Sequence, residues 1–320
     1  MRSGRRPSIA PIPPGARDLA GEAVRRRRAL ERRALDQLGA QGYAEIIPPT
    51  FEYAEVFTRA GGNDVTDRLL RFFDLDGRLL ALRYDFTASV ARLAATKLAE
   101  SPPPLRLCYA GRVFRQDPAR ESGRPRETLQ VGAELLGVAG VEGDVEAVRL
   151  AIALLAEAVG GAREFQINLG HAGALAPAIA RLPEDQRALA RRLVDRKDAA
   201  GLAALSPGIL AELPFVIGRK DALDRAAKLL AGSPGTEAVA RLGAIDAALN
   251  ANERPHVVYD FGEVRGLDYY TGIHFEVFVA GAGAAVGAGG RYDDLMARFG
   301  RPLPAVGVAL DLDAIAEVVP

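Results

Sequence analysis

Tryptophan is absent from this 320-residue chain, methionine occurs twice, histidine three times and cysteine once. A single cysteine, Cys108, excludes an intramolecular disulfide and any cysteine-rich metal site, and it fits a cytoplasmic compartment. His171, His256 and His274 share no HExxH or other compact ligand spacing, so no catalytic metal is expected. Net charge is missing too: 41 Lys and Arg balance 41 Asp and Glu. That leaves no global positive field for nucleic acid, and an anionic ligand would need a local cluster. Lysine occurs only at Lys97, Lys197, Lys220 and Lys228, so arginine supplies the other cations. Apolar runs such as AIALLAEAVGG are broken by Glu157 and fall far short of the roughly 20 residues that span a bilayer. The basic start, MRSGRRPSIAPIPPG, has no apolar stretch before a cleavage site and does not read as a signal peptide.

What is present is the composition of a globular protein, with 49% hydrophobic and 26% charged residues, enough for one large domain or two ordinary ones. Ala16 to about Leu38 predicts a helix after the Pro13-Pro14-Gly15 start, with Leu30, Leu35 and Leu38 on a loose apolar stripe. Tyr43, Ile46 and Ile47 suit a short strand stopped by Pro48 and Pro49. Two apolar runs flanking Asp76-Gly77 predict a hairpin. Strands follow at Leu105–Asp117 and Glu127–Leu136, and a long helix at Glu142–Val159. Residues 172–250 are rich in Ala and Leu and cut by prolines, which reads as a helical insertion between two mainly antiparallel blocks, 1–171 and 251–320.

Several residues have the chemistry of a ligand site. Gln130 and Glu134 lie four apart in one predicted strand, so the period of two puts both on one face. Asp85, Glu134 and Gln130 can accept hydrogen bonds from an ammonium or an imidazole N–H, and Tyr269 or Tyr270 can add a hydroxyl. Arg115 and Arg265 can clamp a carboxylate or phosphate. Each residue alone reads better as a solvated strand position or an ion-pair partner. The glycine-rich GAGAAVGAGGRYDDL lacks the ending of a phosphate loop and predicts a hairpin turn. Arg25–Arg28, Arg32 and Arg33, flanked by glutamates, predict a solvated helix face, and Cys108 a core position. No Ser or Thr has a nearby histidine that would mark a nucleophile.

QGYAEIIPPTFE (Gln41–Glu52) resembles motif 1 of class II aminoacyl-tRNA synthetases, and YAGRVFRQDPARESGRPRETLQVGAELLG (Tyr109–Gly137) resembles motif 2 in its histidyl form. VRGLDYYTG (Val264–Gly272) is similar to the histidine-recognition motif of the histidyl enzyme, and GGRYDDL and PAVGVALDLD extend the likeness into motif 3. The resemblance implies an α+β fold, an antiparallel sheet flanked by helices with a helical insertion, and motif 1 in a homodimer interface. It places Asp85, Thr87 and Gln130 near a histidine amino group, Glu134 and Tyr270 on its imidazole, and Arg115 and Arg265 near carboxylate or phosphate. Tyr269 and Tyr292 would line the same pocket.

The departures from the enzyme argue against charging of tRNA. Asp311, Leu312, Asp313 and Ala314 stand where a glycine-leucine-glutamate-arginine pattern would hold the ATP γ-phosphate, and the two carboxylates would repel a triphosphate if they face inward. Phe86 adds bulk where glycine would allow close approach, and with few residues after Ala314 no anticodon-binding domain is expected. Such a pattern resembles the ATP phosphoribosyltransferase regulatory-subunit family. The likeness implies a non-catalytic subunit of a glycosyltransferase complex in histidine biosynthesis, with no catalytic residue and no cofactor. It implies L-histidine as the regulatory ligand mediating feedback inhibition, and the short-form catalytic subunit as partner to a homodimer within a larger hetero-oligomer, without tRNA or membrane. Two readings stay open beside it: a stand-alone synthetase-like enzyme activating histidine or a related amino acid, and a purely structural assembly subunit.

Overall fold

The computed structural model describes residues 12–61, 63–116, 125–263 and 270–319. The chain runs through α1 (Glu22–Ala40), β1 (Ala44–Glu45), β2 (Phe51–Tyr53), α2 (Ala54–Gly61), α3 (Asn63–Thr66), β3 (Arg71–Phe73), β4 (Leu79–Leu82) and α4 (Thr87–Ala95). Next come β5 (Leu105–Phe114), β6 (Glu127–Leu136), α5 (Val141–Val159) and β7 (Phe165–His171). The stretch that follows holds α6 (Ala172–Ala180), α7 (Glu184–Asp195), α8 (Ala199–Leu205), α9 (Ile209–Glu212), β8 (Ile217–Gly218), α10 (Lys220–Leu229) and α11 (Thr236–Ala248). The last part is β9 (Val257–Asp260), β10 (Ile273–Val279), β11 (Gly287–Arg291), α12 (Asp293–Arg298), β12 (Ala305–Asp311) and α13 (Leu312–Val318).

Nine strands form one sheet in the order β1-β5-β6-β12-β11-β10-β7-β9-β8, antiparallel except at β1–β5 and β7–β9. The two predicted blocks are therefore not separate sheets. β12, from the end of the chain, pairs with β6, and β10 pairs with β7, so strands from either side of the insertion alternate across one surface. Short-range patterns cannot specify these pairings, because each strand needs only some partner that covers its ladder groups. The glycine-rich stretch is the β10–β11 hairpin, as its composition predicts. The Asp76-Gly77 hairpin is present as β3–β4, in a smaller sheet ordered β2-β4-β3. Gly77 has φ 76° there, which any other residue would adopt at a cost.

One face of the large sheet is covered by α1, α5, α11 and α13. Helix α5 is buried nearly all round, including Val148, Leu150, Ala151, Leu154 and Leu155, because it lies between the sheet and a further helical layer. Its apolar residues join one continuous core with Leu175, Val194, Leu202 and Leu223 of the insertion. A second apolar cluster, built from Phe57, Phe86, Tyr109, Leu136 and Tyr292, lies under α2, α4 and α12. Among the described residues no helix is long and apolar enough to cross a membrane.

Helix α1 starts at Glu22, six residues later than the pattern from Ala16 suggests, behind Gly21 with φ 59°. Its arginine run is only partly a solvated face. Arg25 and Arg28 pair with Glu22 and Glu31 on the surface, as expected. Arg27, by contrast, is buried and donates to Asp313 at 2.5 Å, and Arg26 donates to the carbonyls of Ala316 and Val319. The run thus contributes to a clasp on α13 that local sequence could not reveal, since its partner lies 286 positions away.

Candidate functional site

The face of the sheet opposite α5 carries a cavity of about 870 Å³. Its floor follows from the register. Gln130 lies opposite Gly111 and Asp311, and Glu134 lies opposite Leu107 and Gly307, so each of the two polar residues has a glycine on one side. A Cβ at Gly307 would overlap the Glu134 carboxylate, and one at Gly290 would lie 2.7 Å from the Tyr270 ring. Glycine at these points lets the glutamate and the tyrosine lie flat against the strands.

Glu134 is the most enclosed carboxylate of the site, at 2% exposure. Its Oε1 accepts from Thr87 Oγ1 at 2.8 Å and from the Tyr109 hydroxyl at 3.1 Å, while the Tyr292 hydroxyl donates to Oε2. Burial pushes this carboxyl up to about 7, against the pull of three hydroxyl donors, and the neighbouring Asp85 charge adds to the rise. Thr87 is placed by the start of α4, Tyr292 by the junction of β11 with α12, and Tyr109 by the middle of β5. Tyr270 enters from the segment before β10, its ring 6.0 Å from that of His274. Burial raises its phenol, and the charges of Glu134, Asp85 and Glu276 raise it further.

Asp85 lines the cavity just ahead of α4, where its carboxylate accepts from the Ala88 N–H at 3.0 Å. Burial raises its pKa; that hydrogen bond and the Arg115 charge oppose the rise. Arg115, just past β5, donates through Nε to the Tyr84 carbonyl at 3.2 Å, with its guanidinium 5.1 Å from the Tyr84 ring. The structure therefore brings together Asp85, Thr87, Arg115, Gln130, Glu134, Tyr270 and Tyr292, all of them lining one cavity. Arg265 and Tyr269 lie outside the described residues.

Other lining groups were not singled out from the sequence as ligand residues. Tyr109 is one, and Glu276, Arg68, Arg298 and Asp311 are others. Glu276 had a usable signal, being the one carboxylate in the apolar strand IHFEVFV. Tyr109 had none, because nothing local shows that its ring crosses Gly132 to reach Glu134.

The structure also places the departures from the enzyme's pattern. Of the two carboxylates, only Asp311 faces the cavity; it caps α13 by accepting from Ala314 N–H at 2.9 Å, and burial, with Asp313 nearby, raises it to about 6. Asp313 belongs to the other side of the sheet, 2% exposed, bound by Arg27, by Arg17 at 3.1 Å and by the Leu129 N–H at 2.8 Å. The chain turns from strand to helix between these residues, and that turn sends them to opposite layers. Phe86 lines the cavity, and its ring stacks between the Arg83 guanidinium, 4.0 Å away, and the Tyr109 ring, 4.1 Å away.

The histidines are placed structurally. His171 caps α6 by accepting from Gly173 N–H, His256 stacks on Phe165, and His274 is buried; burial lowers His171 and His274 to about 4. Cys108 is a core residue whose thiol burial pushes up to about 11. Among the described residues no group of three or more His, Cys, Asp or Glu is arranged to hold a metal ion.

A large antiparallel sheet backed by helices, with a polar cavity on its open face and an insertion of helices, defines the class II aminoacyl-tRNA synthetase-like architecture. The family model described as histidyl-tRNA synthetase matches residues 15–315. Among curated proteins, the chain is 36% identical over 316 residues to the ATP phosphoribosyltransferase regulatory subunit of Syntrophotalea carbinolica, covering 95% of this chain and 73% of that one. It is 40% identical over 323 residues to that of Anaeromyxobacter dehalogenans, covering 96% and 91%. A solved Bacillus halodurans structure described as an ATP phosphoribosyltransferase regulatory subunit/histidyl-tRNA synthetase superposes with a TM-score of 0.88 at 30% identity, over 98% of this chain and 84% of that one. The chain belongs to the ATP phosphoribosyltransferase regulatory-subunit family, within the histidyl-tRNA synthetase-like proteins. These names also correct the expectation of a glycosyltransferase complex: the relatives are regulatory subunits of an ATP phosphoribosyltransferase, and non-catalytic regulation of that enzyme is the role they support.

Proposed function

We propose that this chain acts as the histidine-sensing regulatory subunit of ATP phosphoribosyltransferase, binding free L-histidine in the cavity of Glu134. The observation that carries the reading is a buried carboxylate fixed by three hydroxyl donors at the base of a cavity lined by both carboxylates and guanidiniums. Such a carboxylate is oriented for an N–H donor, and an imidazole supplies one. In this reading Glu134 and Tyr270 take the imidazole, with Tyr292 holding Glu134. Asp85, Thr87 and Gln130 take the ammonium, and Arg115 takes the carboxylate, joined by Arg265 and Tyr269.

The working assembly is a homodimer of this chain bound to short-form catalytic subunits in a larger hetero-oligomer, without tRNA. Histidine shifts that complex toward a less active state by binding the two states with different affinity, and substrates of the active state weaken histidine binding in return. The test is phosphoribosyl-ATP formation by the short catalytic subunit, with and without this chain, across a histidine titration. Activity that depends on the chain and falls with histidine supports the reading. Activity indifferent to histidine, together with no histidine binding by calorimetry, overturns it.

A further inference from the structure

Arg291 immediately precedes Tyr292 and runs the other way, into the helical layer. It is 4% exposed, and its Nε donates to Asp144 Oδ1 at 2.7 Å. Asp144, 1% exposed in the first turn of α5, receives a second guanidinium on its other oxygen: Arg241 Nε of α11, at 2.6 Å. The same two arginines hold the loop that leaves the Glu134 strand. Arg291 donates to the Val138 carbonyl at 3.0 Å and Arg241 to the Ala139 carbonyl at 3.1 Å. Arg291 also reaches Asp293 Oδ1 at 3.1 Å, and its own carbonyl accepts from the Thr271 N–H at 2.8 Å, next to Tyr270. Side chains at Gly143 and Gly272 would crowd it, with Cβ atoms at 3.0 and 2.9 Å from its atoms.

One buried and one half-buried guanidinium on a single buried carboxylate form a satisfied, stiff unit, and losing a member leaves the others under-compensated. The residues fixed at its far ends are Tyr270, Tyr292 and the strand of Glu134, all parts of the cavity, while Arg241 belongs to the insertion and does not line it. We infer that Arg241 is a positioning residue for the ligand site, acting through Asp144 and Arg291 to fix Tyr292 and thereby the Glu134 carboxylate. The inference rests on the histidine-binding reading above. It makes α11 of the insertion a part of the site's recognition apparatus and a physical connection between the cavity and the helices on the opposite face of the sheet.

Arg241 has a 28% exposed side chain, so Arg241→Gln can be solvated where Asp144 variants would leave charges buried. The experiment is calorimetric titration of L-histidine into the full-length wild type, Arg241→Gln, Arg241→Lys, Tyr292→Phe and the Arg241→Gln/Tyr292→Phe double variant, well below each melting temperature. The expected result is about tenfold weaker binding for Arg241→Gln, partial recovery with Arg241→Lys, and little further loss when Arg241→Gln is added to Tyr292→Phe. Unchanged affinity in Arg241→Gln, or a loss that adds fully to that of Tyr292→Phe, overturns the inference and leaves the sensing function standing. Absence of histidine binding by the wild type removes the functional reading, and this inference falls with it.

Discussion

Replacing Glu134 by glutamine should make the protein more stable and a worse receptor at the same time. The carboxyl titrates at about 7 in the folded chain against an ordinary 4.5. At 1.36 kcal/mol per pH unit this is a native-state penalty of about 3 kcal/mol once the group is ionised. The sign follows from the raised value: the contribution to stability is complete below about pH 4.5 and is lost as pH rises through about 7. Glutamine keeps the shape and never ionises, although its amide must re-pair with the Tyr292 hydroxyl, which leaves a gain of about 1–3 kcal/mol near pH 8. With an unfolding entropy of about 2.1 cal/mol/K per residue, a chain of this length should melt about 2–5 °C higher. Near pH 4 the difference should disappear. Histidine affinity should move the other way, because an N–H donor to a carboxylate is replaced by one to a neutral amide, a loss of about tenfold or more. Differential scanning calorimetry near pH 4 and pH 8 and titration with L-histidine measure both. Equal histidine affinity in the two proteins would refute the assignment of Glu134 to the ligand, and a stability gain that does not grow with pH would refute the account of its ionisation.

Other perturbations separate ligand binding from folding. Gly307→Ala should abolish histidine binding by pushing the Glu134 carboxylate out of place while the circular dichroism spectrum stays close to that of the wild type, because the added methyl overlaps that side chain and meets the Ala133 carbonyl only at 2.9 Å, which a small shift of the strand relieves. Asp313→Ala leaves the buried Arg27 with only the Glu317 carboxylate, 3.8 Å away, and should cost about 2–4 kcal/mol in urea unfolding, with histidine affinity unchanged, since Asp313 lies on the far side of the sheet.

Much of the architecture is legible in local signals. The β3–β4 and β10–β11 hairpins, the strand from Glu127 to Leu136, the long α5 and the run of helices after His171 all follow from apolar runs, turn residues and prolines. Seven of the nine proposed site residues line one cavity, and Gln130 with Glu134 could be placed on one face by strand parity alone. The strand order resisted such reasoning. Which edge β6 offers to β12, far along the chain, is decided by burying both against α5 and α13, an interaction that no window of sequence contains.

The sequence by itself determined the chemistry at hand: one cysteine, few histidines, balanced charge, and carboxylates, an amide, tyrosines and arginines at the spacings of a synthetase-like pocket. Tertiary structure decided what those groups can do. It turned Asp311 into the cavity and Asp313 away from it, converted part of a surface-looking arginine run into the buried partner of α13, and carried Tyr109, Thr87 and Tyr292 onto a single carboxylate. The physical reason is common to all three. Charge and hydrogen-bonding capacity are properties of a residue, but burial and partner identity are set by segments that meet through space, and those two quantities fix whether a carboxylate is a receptor, a cap or a clasp.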